Sequence, residues 1–495
     1  NRTRITKCRQ SKLVKIMELL SRLLNGLSIQ QRVNEKDVQI NQIEFDSRKV
    51  CQGTLFVAQR GVVSDGHDYL DSAISNGAVA VVVEELPQNI NDEVVYIKVE
   101  NSSYALGILA KNYFHDPSSK LKLVGITGTN GKTTTATLSY DLFSSLGYCC
   151  GLISTIVNKI AGKNFPTERT TPDVLSLNKL LLEMVEAKCE FVFMEVSSHA
   201  VVQHRIAGLS FFGGVFSNIT HDHLDYHKTF TNYINAKKGF FDSLSSKAFA
   251  LTNIDDKNGE KMVESTKARK YTYSLSRLAD YKTKIVENCF EGLLLNINGK
   301  DVNTMLVGRF NAYNLTAIYA IARLCGLNDQ ETLVGLSKLK AAAGRFEPHY
   351  LKNGATAIVD YAHTPDALEN VLSTINSIRT TGVLVTVVGC GGDRDKTKRP
   401  QMASIAQKSS DILILTSDNP RTESPESILK DMSSGINDFD KVFTITDRRE
   451  AIKLAAQLTK GKGDIILIAG KGHETYQEIN GVKHHFDDKE EVAKY

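Results

Sequence analysis

The stretch Leu121-Lys-Leu-Val-Gly-Ile-Thr127 is an apolar run. It leads into Gly128-Thr-Asn-Gly-Lys-Thr-Thr134, a glycine turn followed by a helical segment that opens on Lys132 and Thr133. Backbone N–H groups in such a turn, together with the positive end of the helix that follows, attract a polyphosphate. The Lys132 ammonium can neutralise it, and the Thr133 hydroxyl can ligate Mg²⁺. Gly128, Thr129, Asn130, Gly131, Lys132, Thr133 and Thr134 are therefore candidate ATP-binding residues. The spacing is not that of motor ATPases or small GTPases, because Ile126 stands where their first glycine belongs.

A phosphate-bound divalent ion needs further ligands at neighbouring strand ends. Glu195 follows the apolar run FVFM, and His223 lies in Asp222-His-Leu-Asp-Tyr-His227 just after GGVFSNIT. Both can serve. Farther along, four apolar runs lead straight into polar sequences: Asp360-Tyr-Ala-His-Thr-Pro365, Gly391-Gly-Asp-Arg-Asp395, Asp418-Asn-Pro-Arg421 and Gly470-Lys-Gly-His-Glu474. Ligands of open α/β sheets bind beyond the carboxyl ends of strands, so the four are expected to line one crevice.

These residues must be carried by three successive α/β segments, with residues 1–12 read as a loose basic tail before the amphipathic pattern LVKIMELLSRLL. In 13–119, the runs IEFDSRKV, GTLFVA, GAVAVVVEE and VVYIKVE read as strands, with a helix over Tyr69–Asn76. The turn formers His115-Asp-Pro-Ser-Ser-Lys120 end that segment. In 120–343, the strands LKLVGIT, CEFVFMEV and GGVFSNIT alternate with helices over Thr133–Leu146 and Val174–Lys188, which implies βαβ units and a mainly parallel sheet. In 344–495, the runs ATAIVDY, GVLVTVVG, DILILT, KVFTIT and GDIILIAG are spaced for crossover helices and a second, Rossmann-like doubly wound sheet. The expected fold class is thus α/β with three domains.

Composition removes other classes. The chain has 495 residues, 42% of them apolar, and a net charge of +4, so there is no basic field for nucleic acid. No apolar run is long enough to span a membrane, and no signal peptide is evident. The eight cysteines have no zinc spacing and fit a reducing cytoplasm.

The loop Gly128-Thr-Asn-Gly-Lys-Thr-Thr134 resembles that of the Mur ligase superfamily, which also includes folylpolyglutamate synthetases. The resemblance extends from about Ile43 to Asp488, through Asp46-Ser-Arg48, Gly53-Thr-Leu-Phe-Val-Ala58, Asp65-Gly-His67, Thr170-Thr-Pro172, Met194-Glu-Val-Ser-Ser-His199 and Gln203-His-Arg205. It implies a monomeric ATP- and Mg²⁺-dependent ligase of peptidoglycan precursor synthesis, with a UDP-sugar-binding domain, a central ATP-binding domain and a C-terminal amino-acid-binding domain. Diaminopimelate would be joined to the D-Glu γ-carboxylate of UDP-N-acetylmuramoyl-L-Ala-D-Glu through an acyl phosphate.

By the same resemblance, Lys132, Glu195, His223 and Lys237 are catalytic, and Thr133, Glu195, His223 and a carbamylated Lys237 hold metal. A carbamate is an anionic oxygen ligand where an ammonium would repel the ion. Asn311, Arg345 and Asp360 complete the ATP site, with His363 between nucleotide and substrate. Phe45, Ser47, Val62, Val63, Ser64, Thr170, Thr171, Ser197, Gln203 and Arg205 meet the UDP-sugar peptide. Arg394, Asp418, Asn419, Pro420, Arg421, Gly470 and Glu474 meet diaminopimelate, whose distal zwitterion calls for a cation and an acid side by side. Alternative readings are a lysine-adding relative, a folylpolyglutamate synthetase and a nucleotide-binding regulator without ligase activity.

Overall fold

The computed structural model describes residues 16–61, 64–167 and 169–495. The tail 1–12 and the candidate residues Val62 and Val63 lie outside these. The chain falls into two compact units: one of residues up to Leu121 with Pro172–Ala187 and His199–Ser210, the other of Lys122–Thr171, Lys188–Ser198 and Phe211–Tyr495.

The first unit is built on a five-stranded sheet in the order Gln31–Val33, Val95–Lys98, Ala78–Val83, Thr54–Val57, Gln42–Glu44. The last four strands are parallel, and Gln31–Val33 is antiparallel at the edge. Near-continuous apolar strands bury both faces, as parallel sheets require. Leu55, Val57, Val82 and Ile97 pack under the helix Ser102–Tyr113, while Phe56, Val81, Val83 and Tyr96 point the other way against Leu70 and Ala73. The helix Val174–Glu186 joins this unit: the Asp173 side chain caps it by accepting from the N–H groups of Leu175 and Ser176, and Val174 enters the core.

The second unit holds two sheets. The larger has eleven strands. Its centre runs Cys150–Ile153, Phe191–Glu195, Lys122–Thr127, Gly213–Phe216, Phe249–Asn253, Arg269–Ser274, all parallel. The helices Lys132–Ser145 and Arg309–Leu324 cover one face with Leu138, Leu142, Phe143, Leu315 and Ile318. The smaller sheet runs Glu347–Tyr350, Thr356–Asp360, Ile465–Ala469, Leu384–Val388, Ile412–Thr416, Val442–Ile445, with the first strand antiparallel and the other five parallel. A large, mainly parallel sheet followed by a doubly wound one is the expected α/β architecture.

Several details differ from the sequence reading. The amphipathic pattern LVKIMELLSRLL resolves, in its described part, into the strand Glu18–Leu19, paired with Gln39–Ile40, and the short helix Leu20–Leu23. IEFDSRKV is a strand only over Gln42–Glu44, after which the Asp46 carboxylate accepts from the Arg48 N–H and turns the chain into a short 3-10 helix, Ser47–Lys49. The large sheet also carries additions with antiparallel pairing at both edges, Asn158–Ile160 with Lys163–Phe165 at one, and at the other the meander Tyr281–Cys289, Gly292–Ile297, Lys300–Thr304, whose first strand joins Arg269–Ser274 in parallel. Their polar outer positions hide the alternation that marks a strand. Among the described residues no helix is long and apolar enough to cross a membrane.

Candidate active site

The phosphate loop is held by backbone contacts. Gly131, with φ +86°, starts the helix Lys132–Ser145, and a Cβ there would lie 2.6 Å from Asn314 Oδ1, so both conformation and space require glycine. The Thr129 N–H donates to Asn218 O (2.8 Å), the Asn130 N–H to Asn218 Oδ1 (2.9 Å), and Ser217 Oγ to Asn130 O (2.6 Å). Lys132 Nζ donates to the carbonyls of Gly128 (2.9 Å) and Thr129 (2.8 Å). Lys237 Nζ, 109 residues farther on, donates to Gly128 O as well (2.8 Å). Burial lowers the pKa of both lysines. Lys237 is pushed well below its ordinary value by burial and then by the Lys132 charge, with Asp222 acting against the shift.

Beside the loop, the buried Thr133 hydroxyl donates to Glu195 Oε2 at 2.9 Å. The Thr155 N–H and hydroxyl hold the same carboxylate at 2.7 and 3.2 Å. His223 Nε2 is 3.4 Å from Asp222 Oδ2. Burial brings the His223 imidazole down to about 4, helped by Lys132 and Lys237 and opposed by Asp222, so the ring is neutral near pH 7. Hydroxyl, carboxylate and neutral imidazole donors beside a phosphate loop fit a divalent cation. Among the described residues no three His, Cys, Asp or Glu side chains cluster as a metal cage. The candidate set is not of that kind, since it leaves positions for phosphate oxygens and water.

The smaller sheet brings its loops to this place. Arg345 Nη2 reaches Thr133 Oγ1 (3.3 Å), and its guanidinium lies 4.7 Å over the Tyr361 ring. Asn130 Nδ2 donates to Asp366 Oδ2 (2.7 Å). Asp360 accepts from the Phe346 N–H (2.6 Å), and burial pushes its carboxyl up to about 6 against the pull of Arg345. Burial and the Lys398 charge take His363 down to about 4. Arg345 Nε and His473 Nδ1 are buried without a protein partner, which suits a site completed by ligand. Asn311, buried near the start of its helix, accepts from Asn314 Nδ2 (3.1 Å) and donates to Val307 O (2.9 Å). It borders a cavity of about 320 Å³ lined also by Phe290, Met305, Val307, Phe346 and Ile358, an apolar slot with a polar edge.

The four strand-end motifs do meet. Arg421 Nη1 donates to Gly392 O (2.7 Å), and its Nε is 3.7 Å from Glu478. Asn419 Nδ2 donates to Glu474 Oε2 (2.7 Å), and the Gly470 N–H to Asp360 O (3.0 Å). The Tyr361 and His473 rings stand 4.8 Å apart. Arg394 is exposed beside Gly391, 3.9 Å from where a Cβ there would lie. Pro420 O would lie 1.9 Å from a Cβ on Gly392, so these loops are closely packed.

The candidate substrate residues fall in both units. In the first, Phe45 packs partly buried on the core, Ser47 begins the 3-10 turn capped by Asp46, and Ser64 is exposed. Arg205 Nε donates to Gln203 Oε1 (3.0 Å). In the second, Thr170 Oγ1 accepts from Thr155 Oγ1 (3.1 Å). Thr171 Oγ1 donates to Glu195 O (2.8 Å) and accepts from the Ser197 N–H (3.2 Å).

Some residues of the site were not singled out from sequence. Asp222 is held ionised: burial would raise it, but His223, His363, Lys398 and Lys132 together bring it below its ordinary value. Lys398 Nζ caps the His363 carbonyl (3.0 Å). Asp366 and Asn218 bind the phosphate loop from outside it. Asp222 sits next to a candidate ligand and could have been inferred, whereas Lys398 and Asp366 lie on ordinary-looking helices and carry no local signal.

Three family models match: the Mur ligase family catalytic domain over 39–114, the Mur ligase middle domain over 126–322, and the Mur ligase glutamate ligase domain over 344–472. The chain is 56% identical to the UDP-N-acetylmuramoyl-L-alanyl-D-glutamate–2,6-diaminopimelate ligase of Cytophaga hutchinsonii, over 92% of this chain and 94% of that protein. Its identity to the enzyme of the same name from Phocaeicola vulgatus is 53%, over 95% and 98%. A solved structure of a ligase of that name superposes with a TM-score of 0.69 at 36% identity, covering 95% of this chain and 96% of the other. With three family models matched between residues 39 and 472 and relatives matched over nearly the whole length, the chain belongs to the Mur ligase family.

Proposed function

We infer that this chain is an ATP-dependent ligase that joins the amine of 2,6-diaminopimelate to the D-Glu carboxylate of UDP-N-acetylmuramoyl-L-Ala-D-Glu. The observation that carries the reading is the reach of Arg345, just before the first strand of the smaller sheet, to Thr133 of the phosphate loop, which supports one site shared by the loops of both sheets. A carboxylate is a poor electrophile. An oxygen of the D-Glu carboxylate attacks the γ-phosphorus of ATP, and ADP leaves. The amine then attacks the acyl carbon, the bond to the phosphate oxygen breaks, phosphate departs, and the nitrogen loses its proton.

In this reading Lys132 and Arg345 stabilise charge on the transferring phosphoryl group. Asn311 and the adjoining cavity take the purine. Thr133, Glu195, His223 and Lys237 would hold Mg²⁺, which when bound neutralises phosphate charge. Lys237 serves as a ligand after its neutral amine adds to CO₂ to give a carbamate and a proton, and its depressed pKa favours the amine that reacts. Phe45, Ser47, Ser64, Gln203 and Arg205 of the first unit are assigned to the UDP-sugar peptide in this reading. Arg421 and Arg394 take the distal carboxylate of diaminopimelate, and Asp418, Asn419 and Glu474 its ammonium. A monomer working in the cytoplasm fits this reaction.

The test is phosphate release from ATP with the UDP-muramyl dipeptide and either diaminopimelate or lysine. Release that needs both the dipeptide and diaminopimelate is expected. Equal turnover with lysine overturns the amino-acid assignment, and no amino-acid dependence overturns the ligase itself.

A further inference from the structure

Lys471 is completely buried, although a lysine at the edge of a cleft ordinarily keeps its ammonium in water. Its Nζ donates to Asn419 Oδ1 (3.1 Å) and Glu474 Oε2 (3.2 Å), and stands 4.0 Å from Asp418 Oδ1. Asn419 closes the network by donating to Glu474, while accepting from the Glu478 N–H (2.9 Å). Burial and the nearby Asp418 charge raise the Glu474 carboxyl, and Lys471 and Asn419 act against that rise. Asp418 and Glu474 are the same two acids that the proposed reaction gives to the distal ammonium of the amino acid.

Two adjacent acids with no internal cation would favour a substrate end bearing an ammonium alone. The other charges close by do not change this. Arg421 is faced by Glu478, and the buried Arg448 beneath the loops is matched by Asp488 at 2.8 Å. Lys471 offsets one of the two carboxylates, so that what remains suits an end carrying an ammonium and a carboxylate together.

We propose that Lys471 determines specificity: it is a built-in counter-charge for Asp418 and Glu474 that tunes the pocket to a zwitterionic side-chain end and against a bare ammonium. The inference rests on the reaction proposed above. Without the Lys471 charge, the pocket gains net negative charge and lysine becomes the better fit relative to diaminopimelate.

The experiment measures steady-state phosphate release with diaminopimelate and with lysine, for the unmodified chain, Lys471→Gln, Lys471→Arg and Asn419→Asp. Lys471→Gln is expected to raise the KM for diaminopimelate about tenfold with the KM for ATP within about twofold, and to raise the lysine-to-diaminopimelate ratio of kcat/KM about tenfold. Lys471→Arg, which keeps the charge, should hold that ratio near its starting value. Asn419→Asp adds negative charge while keeping an oxygen for Lys471 to donate to, and should move the ratio the same way as Lys471→Gln, which keeps the test decisive if the glutamine variant fails to fold. An unchanged ratio in Lys471→Gln, an equal shift in Lys471→Arg, or no shift in Asn419→Asp overturns the proposal. Strong preference for diaminopimelate in the unmodified chain together with any of these results leaves the ligase reading intact. No diaminopimelate-dependent release in the unmodified chain ends both.

Discussion

The phosphate loop and the proposed amino-acid pocket both sit beyond the carboxyl ends of parallel strands in the second unit, yet they handle charge in opposite ways. In the loop, the ammonium groups of Lys132 and Lys237 meet backbone carbonyls, and burial disfavours their charged forms. In the pocket, Asp418, Asn419, Lys471 and Glu474 satisfy one another. The first arrangement is short of negative charge and awaits an external anion, as a polyphosphate site must. The second holds a cation of its own against two acids and discriminates by the arrangement of those charges. Damage to the loop should therefore appear in kcat, and damage to the pocket in KM and in the choice of amino acid.

The largest break in that contrast is Lys132→Ala, expected to lower kcat by about 10³-fold because the transferring phosphoryl group loses its nearest fixed cation. Single-turnover phosphate release checks this, and a comparable kcat with a raised KM for diaminopimelate would erase the distinction between the two regions. Next is Lys237→Ala, expected to lower kcat about 10²-fold. If the amine works as a carbamate, activity of the unmodified chain depleted of CO₂ should rise with added bicarbonate, and that of Lys237→Ala should not. Arg421→Ala belongs to the other region. It should raise the KM for diaminopimelate about tenfold while the KM for ATP stays within about twofold.

How far the sequence foretold these two regions differs for a physical reason. The phosphate loop is contiguous: the strand Lys122–Thr127, the glycine turn and the helix that opens on Lys132 follow one another without a break, so local spacing reveals it. Glu195 was legible because a carboxylate ending an apolar strand has few structural uses. The four strand-end motifs were legible for the same reason, and their meeting follows from parallel topology. Asp366 and Asn218 were not, since each matters only through a phosphate-loop partner more than 80 residues away, and Lys398 was not, since it reaches the His363 carbonyl from a helix 35 residues on. Lys471 lay inside a recognised motif, but its burial depends on Tyr476 and Asn419 packing over it, which no local pattern encodes. The antiparallel edge strands were hidden by exposed polar positions.

The smallest expected effect concerns what holds the pocket's loops in place. Behind Gly391 and Arg421, the fully buried Arg399 guanidinium binds Glu423 at 2.8 and 3.0 Å and Asp431 at 2.8 Å. The Glu423 carboxylate also accepts from the Asp393 N–H (2.6 Å), so it ties two strand-end loops together. The Arg399 hydrogen bonds hold the Glu423 carboxyl down at about 2, against an ordinary 4.5. An acid whose pKa falls on folding adds stability above its unfolded value and loses it as pH drops toward the folded one. The contribution is therefore complete above pH 4.5 and fades as pH falls toward about 2. Glu423→Gln should cost about 2 kcal/mol at pH 7, the worth of a charged hydrogen bond, and the gap from the unmodified chain should narrow on acidification. Chemical denaturation at pH 7 and at pH 4 measures it, and a gap that widens at the lower pH would show that the Arg399 pair does not stabilise these loops through the Glu423 charge.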